Sequence, residues 1–295
     1  MITNFMLNSK LILGAFALAL TATTAFAQDA EVITKPAAKK KAVYAQQTFG
    51  YVEKSMFSTN TLKLEVLSTE PVVWNGKVII INHGSTGRGH GTNGMDESRV
   101  KNTVKFLTLR KALVEKGYRV YVLMRKGRGN SEGQFTEENA KTCGLSDQNN
   151  GVLEAESQLD QFVDSIRTEN KVDKVIVMGH SRGGFLTSYY SQAHPDKVAL
   201  AVNISGGWST QCEEKNRMTA QMLENSGKKY KNQTWVYASN DTYFSERIMA
   251  GYADTAQQLG IPFIKLETLS GDGHAFASAN PQLWLNQIAG LAEAK

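Results

Sequence analysis

The segment Val172-Asp173-Lys174-Val175-Ile176-Val177-Met178 runs into Gly179-His180-Ser181-Arg182-Gly183-Gly184 and then into a helical pattern, Gly183 to Ala193. A strand, a G-x-S-x-G turn and a helix in that order force the serine onto a sharp, strained bend. Glycines are required because side chains at 179 or 183 would collide with neighbouring backbone. The bend lifts the hydroxyl of Ser181 above the sheet, beside a helix N-terminus whose dipole favours negative charge. In this context Ser181 reads as a nucleophile rather than as part of a chance Gly-Ser turn.

Outward from this turn the same alternation repeats. The continuous apolar run within Lys77 to Asn82 reads as a strand buried on both faces, Tyr118 to Met124 as the next buried strand, and Val198 to Ile204, Thr234 to Ala238 and Pro262 to Leu269 as further strands. Helices are expected over Asp96 to Lys116 (ended by Gly117), Leu153 to Ile166, Thr219 to Asn225, Ile248 to Leu259 and Pro281 to Ala294. Two alternating strands, Gln47 to Glu53 and Leu62 to Leu67, precede them and are expected to be antiparallel at a sheet edge. Such alternation implies one α/β domain, residues 44–295, with a mostly parallel sheet and helices on both faces. The segments leave little or no room for a cap domain.

A serine hydroxyl needs a base within hydrogen-bond reach. Of the 5 histidines, His274 is favoured because it follows the last strand in the glycine-rich stretch Gly271-Asp272-Gly273-His274, read as a flexible loop. His180 reads as structural and His194 as a helix-end residue; His83 and His90 lie in an earlier glycine-rich loop. The chain order Ser…Asp…His places the orienting acid between them, after a strand. Asp241, directly beyond Thr234 to Ala238, fits, with Glu246 as the fallback. Its carboxylate would accept the imidazole Nδ1 proton and stabilise the imidazolium. An oxyanion needs two backbone donors, assigned to the N–H of Arg182 and of Ser85, with Thr86 as the alternative to Ser85. His83-Gly84-Ser85-Thr86-Gly87 lacks the ending of a phosphate-cradling loop. Arg125, Arg128, Asn130 and Arg182 either line the pocket mouth or hold loops together.

The composition is that of a globular protein: 295 residues, 41% hydrophobic and 21% charged, with a net charge of +5. Residues 1–27 read as a secretory signal peptide, with Lys10, an apolar run Leu11 to Leu20 and the small-residue site Ala25-Phe26-Ala27. That run is shorter than a membrane span, which takes roughly 20 residues. Residues 28–43, with Lys35, Lys39, Lys40 and Lys41, read as a basic disordered linker. A periplasmic or secreted location follows, without stable membrane insertion once the signal is cleaved. Cys143 and Cys212 would then lie in an oxidising compartment and are expected to pair, two free thiols being the alternative. Neither cysteine sits in a metal or redox motif, and no metal or cofactor is expected. No basic patch interleaved with aromatics points to nucleic acid.

His83-Gly84, the loop Arg125 to Gly133 (RKGRGNSEG), the GHSRGG turn, Asp241 and His274 stand in the order and spacing of the α/β-hydrolase superfamily. The chain is most similar to its exported, dienelactone hydrolase-like members. That resemblance spans nearly all of residues 44–295 and implies an eight-stranded, mostly parallel sheet and a serine-esterase mechanism on a small-molecule ester. One departure stands out: dienelactone hydrolases proper use a cysteine nucleophile, where this chain has Ser181. The competing functions are a serine peptidase of prolyl oligopeptidase type, a lyase or dehalogenase on the same fold, and a non-catalytic binding protein that retains the fold.

Overall fold

The computed structural model describes residues 41–85, 101–137, 145–208, 232–268 and 271–291, with only the backbone described over 145–149. They belong to one unit, Lys40–Lys295. The expected signal segment, His90, the helix over Thr219 to Asn225, Thr86 and both cysteines lie outside the described residues, as does nearly all of the basic linker.

Five consecutive buried residues make β3 (Val78–Asn82) a central strand. Its side chains alternate between two layers: Val78 and Ile80 face one apolar cluster, Ile79 and Ile81 the other. The remaining strands are β1 (Val43–Lys54), β2 (Thr59–Glu70), β4 (Arg119–Leu123), β5 (Val175–His180), β6 (Val198–Ile204), β7 (Gln233–Ala238) and β8 (Phe263–Leu266). They form one eight-stranded sheet in the order β1-β2-β4-β3-β5-β6-β7-β8. β1 and β2 pair antiparallel along their whole length, β2 pairs antiparallel with β4, and every other neighbouring pair is parallel.

The helices are α1 (Leu107–Glu115), α2 (Leu145–Asn170), α3 (Arg182–Ala193), α4 (Glu246–Leu259) and α5 (Gly273–Ala279). α2, α3 and α4 cover one face of the sheet through Phe162, Leu186 and Tyr252, among others. α1, α5 and the C-terminal turns cover the other through Leu113, Ala277 and Trp284. Both faces are thus sealed, as parallel strands require.

Three local expectations need correction. The described part of the stretch Asp96 to Lys116 becomes helical only at Leu107, because Phe106 is left-handed (φ 45) and Thr103 is drawn off to Glu65. Gly117 (φ 86) does end that helix. The described part of the segment Pro281 to Ala294 is not one helix: it forms two single 3₁₀ turns, Pro281–Leu283 and Leu285–Gln287. Trp284 between them leaves helical geometry to bury its ring and donate Nε1–H to the Ala277 carbonyl at 2.7 Å. The glycine-rich stretch around His274 is no loose loop either. It starts α5, with Asp272 as N-cap accepting from His274 N at 2.9 Å.

One acidic residue on β2, Glu65, holds three segments together and is 2% exposed. Its carboxylate accepts from Gln46 Nε2 (2.7 Å), Thr103 Oγ1 (2.8 Å), Asn130 N (2.8 Å) and Asn130 Nδ2 (3.1 Å). It thereby ties β1, the approach to α1 and the Arg125–Gly133 loop to one point. Replacing Glu65 with alanine removes the acceptor shared by these four donors, although those on the exposed residues Gln46 and Asn130 can turn to water. The expected loss is about 1–2 kcal/mol of unfolding free energy, read by urea denaturation.

Candidate active site

Ser181 closes the gap between β5 and α3 in a single residue, at φ 56 and ψ −126, and serves as N-cap without spending its side chain on a capping bond. Such a backbone costs about 1–3 kcal/mol and persists only when its surroundings hold it there. Two close approaches do so. A Cβ at position 179 would lie 2.0 Å from the Gly183 carbonyl oxygen, and one at 183 would lie 2.2 Å from that of Asn82. The turn is further held by Ser181 N donating to the Ile204 carbonyl at 2.9 Å.

The loop after β3 crosses directly over this turn. A Cβ at Gly84 would stand 2.8 Å from Ser181 Cβ, so only glycine fits there. His83 beneath it is fully buried, and its Nε2 accepts from Arg125 N at 3.1 Å. The ring proton therefore sits on Nδ1, which donates to the Gly84 carbonyl at 2.7 Å. In a trans peptide the carbonyl and the following N–H point in opposite directions. Pinning the Gly84 oxygen on His83 turns the N–H of Ser85 away from that ring. The Arg182 side chain completes the clasp, donating Nε–H to Ser85 Oγ at 3.0 Å and lying 4.6 Å over the Trp208 ring. Ser85 and Arg182 are thus brought together.

Arg125 and Arg128 are fully buried, so neither lines a pocket mouth. Arg125 grips Glu137 with two bonds, 2.5 and 3.0 Å, and donates to the His83 carbonyl at 2.9 Å. Burial alone would raise the Glu137 carboxyl, but the guanidinium groups of Arg125, Arg128 and Arg182 outweigh it and hold the acid below its ordinary range. Arg128 stacks on Phe135 at 3.7 Å, and Asn130 is engaged with Glu65. These residues build loops.

At the other side of the turn, His274 Nδ1 lies 3.0 and 2.9 Å from the two oxygens of Asp241. Asp241 Oδ1 also accepts from the amides of Tyr243 (2.8 Å) and Phe244 (2.9 Å), which fixes the carboxylate in place. The fallback acid does not compete: Glu246 is exposed and faces Lys265 at 3.8 Å. Tyr243 and Phe244 flank the His274 ring at 4.4 and 5.4 Å. Asp272 supports the same group from below, since its Oδ1 also accepts from Thr242 Oγ1 at 2.7 Å.

His180, the residue next to Ser181, joins the two halves. Its Nε2 lies 2.8 Å from the His274 carbonyl, and the two rings are 4.9 Å apart. Burial, then the neighbouring His274, pushes His180 down to about 4. His83 is lowered as well, first by burial and then by Arg125 and Arg128. The contacts of His180, the Tyr243 and Phe244 amides and the Arg182–Ser85 bond have no signal in the sequence, because each joins residues far apart in it or depends on local backbone direction. Among the described residues no group of three or more His, Cys, Asp or Glu is arranged to hold a metal ion. Among them too, no helix is long and apolar enough to cross a membrane.

Residues 77–234 match the family model described as alpha/beta hydrolase fold. Solved structures share the fold at low identity. The Pyrococcus furiosus esterase Pf2001 superposes with a TM-score of 0.56 at 12% identity, covering 85% of this chain and 90% of its own. A Klebsiella pneumoniae protein assigned to the dienelactone hydrolases gives 0.54 at 12% identity, covering 86% and 100%. Est1E from Butyrivibrio proteoclasticus, solved with ferulic acid, gives 0.51 at 16% identity, covering 75% and 95%. No curated protein matches the chain.

The two neutral histidines set a stability signature. Unfolding returns both to an ordinary value near 6.5, so between about 4 and 6.5 the unfolded chain binds protons that the folded chain refuses. Stability is full above about 6.5 and is lost as the pH falls toward 4. Each such proton contributes a slope of about 1.4 kcal/mol per pH unit. Denaturant titrations from pH 7 to pH 5 should show that decline, and His180→Asn should make it shallower.

Proposed function

The chain belongs to the α/β-hydrolase family, and on that premise we propose that it is a serine hydrolase of carboxylic esters, with Ser181 as nucleophile, His274 as general base and Asp241 as its orienting acid. The observation that carries this reading is the His274–Asp241 pair, with Nδ1 at 2.9 Å from the carboxylate, held beside the strained Ser181 turn through His180. A carboxylate on Nδ1 leaves Nε2 as the proton acceptor, the tautomer that a serine nucleophile requires.

In the first step Ser181 Oγ attacks the ester carbonyl carbon while His274 Nε2 takes its proton. The carbonyl π electrons move onto oxygen, where the amides of Ser85 and Arg182 receive the charge. Collapse of the tetrahedral adduct expels the alcohol, protonated by His274, and leaves an acyl-Ser181 ester. Water, deprotonated by the same imidazole, attacks that ester; the adduct collapses with cleavage of the acyl–Oγ bond, His274 returns the proton to Ser181 Oγ, and the acid is released. Asp241 remains ionised throughout and stabilises the imidazolium. An ester is favoured over an amide because the neighbours that share this fold with TM-scores above 0.5 include an esterase by name. The exported location belongs to the same reading and rests on Lys10, the apolar run Leu11 to Leu20 and Ala25-Phe26-Ala27.

A panel of p-nitrophenyl esters of increasing chain length tests the proposal. Turnover should vanish in Ser181→Ala, together with covalent labelling by a fluorophosphonate. Asp241→Asn should cost on the order of 10⁴ in kcat with the fold intact. Gly84→Ala, which pushes the donor loop off Ser181, should cost about 10²–10³. A fold that binds fluorophosphonate covalently but cleaves only amides would replace the esterase by a peptidase.

A further inference from the structure

The β1–β2 hairpin carries a feature that the hydrolase chemistry does not use. Its turn, Ser55-Met56-Phe57-Ser58, exposes the two large apolar side chains almost completely: Met56 is 88% and Phe57 92% exposed. No other large apolar side chain among the described residues is as exposed, the next being Val73 at 76%. The turn is firmly made. Ser55 N donates to the Ser58 carbonyl at 2.8 Å, the two serine hydroxyls lie 2.8 Å apart, and Ser58 N donates to Ser55 Oγ at 3.0 Å. The apolar pair is therefore held outward by a tight turn.

Direction decides what the tip faces. β2 runs antiparallel to β4, with Val66 opposite Leu123; Leu123 is level with Asn82, and Asn82 with Gly179. The Thr59 end of β2 thus leaves the sheet on the same edge as Ser181. The ribbon is anchored as far as Val52, bonded to Gln161, and Lys63, bonded to Glu132. Val52 is level with Thr61, and from there to Ser58 the ribbon extends by about 10 Å, at roughly 3.3 Å per residue. Residues 54–61 are all exposed. Of the charged side chains on the ribbon, Glu53 is paired with Lys126 at 2.6 Å, while Lys54 and Lys63 are exposed lysines.

We propose that this hairpin tip docks on an anionic phospholipid surface, Met56 and Phe57 entering the interfacial layer and Lys54 and Lys63 meeting the headgroups. Apolar side chains at the tip with lysines behind them match the layered chemistry of such a surface. A second copy of the chain is a poorer occupant: a stable protein interface takes about 800 Å² per partner, and a large side chain such as Phe57 supplies only about 150–250 Å². Docking by this tip turns the catalytic edge of the sheet toward the lipid. The docking itself rests on the surface alone; its use, bringing lipid-borne esters to Ser181, rests on the hydrolase reading.

Flotation of the full-length protein with vesicles tests the docking without requiring catalysis. The vesicles are either phosphatidylglycerol mixed with phosphatidylethanolamine or phosphatidylcholine alone. The wild-type chain should favour the anionic vesicles, and Met56→Ser/Phe57→Ser should lower the bound fraction at least tenfold. Lys54→Glu/Lys63→Glu should remove the preference for anionic lipid, and turnover of soluble p-nitrophenyl acetate should be unchanged in both variants. Equal binding by wild type and the Met56/Phe57 variant overturns the proposal. So does a concentration-dependent dimer, seen by analytical ultracentrifugation, that this variant abolishes while vesicle binding persists. Vesicle binding with the expected pattern but no ester turnover by any form leaves the docking standing and removes the esterase.

Discussion

The site depends on one backbone constraint: β5 must become α3 within the single residue Ser181, at φ 56. No side chain at 179 or 183 is compatible with that bend, since Gly179 meets the Gly183 carbonyl and Gly183 meets the Asn82 carbonyl. The same crowding brings β3 and its following loop against the turn, so Gly84 lies over Ser181. Strain is therefore concentrated where the hydroxyl is presented, and the buried central strands on either side hold it.

Around that bend the polar groups are arranged in two sets. On one side the buried Arg125–Glu137 pair and His83 pin the Gly84 carbonyl, and with it the direction of the Ser85 amide. On the other, the Tyr243 and Phe244 amides hold Asp241, which holds His274. Burial keeps His83 and His180 below the ordinary histidine range. Both therefore act as neutral hydrogen-bonding groups, His83 toward the Gly84 carbonyl and His180 toward the His274 carbonyl. A neutral His180 places no positive charge against the His274 ring 4.9 Å away.

Much of this was legible in the chain. The run Val78 to Asn82 is buried on both faces as its unbroken apolar pattern implies, and Val198 to Ile204 has the bounds read for it. The GHSRGG turn and the positions of Asp241 and His274 after strands could be read because elbow glycines and strand ends carry local signatures. Two of the three failures share a cause, the third being the local Asp272 cap that starts α5. The C-terminal segment has an amphipathic pattern, but Trp284 gains more by burying its ring and bonding Ala277 than by staying helical. Phe106 takes a left-handed conformation and Thr103 a bond to Glu65, so the helix starts late. In each case a tertiary contact overrides a local preference worth only a few tenths of a kcal/mol per residue.

By itself the sequence determined the order of the strands, the strained serine turn and the candidate acid and base, because periodicity and glycine placement are properties of short stretches. Only the tertiary structure decided that Arg125 and Arg128 are buried struts, that His180 reaches the His274 carbonyl, and that the Met56–Phe57 tip leaves the sheet on the Ser181 edge. These are relations between segments tens of residues apart. Their sign depends on which strands pair and in which direction, and no local pattern encodes that.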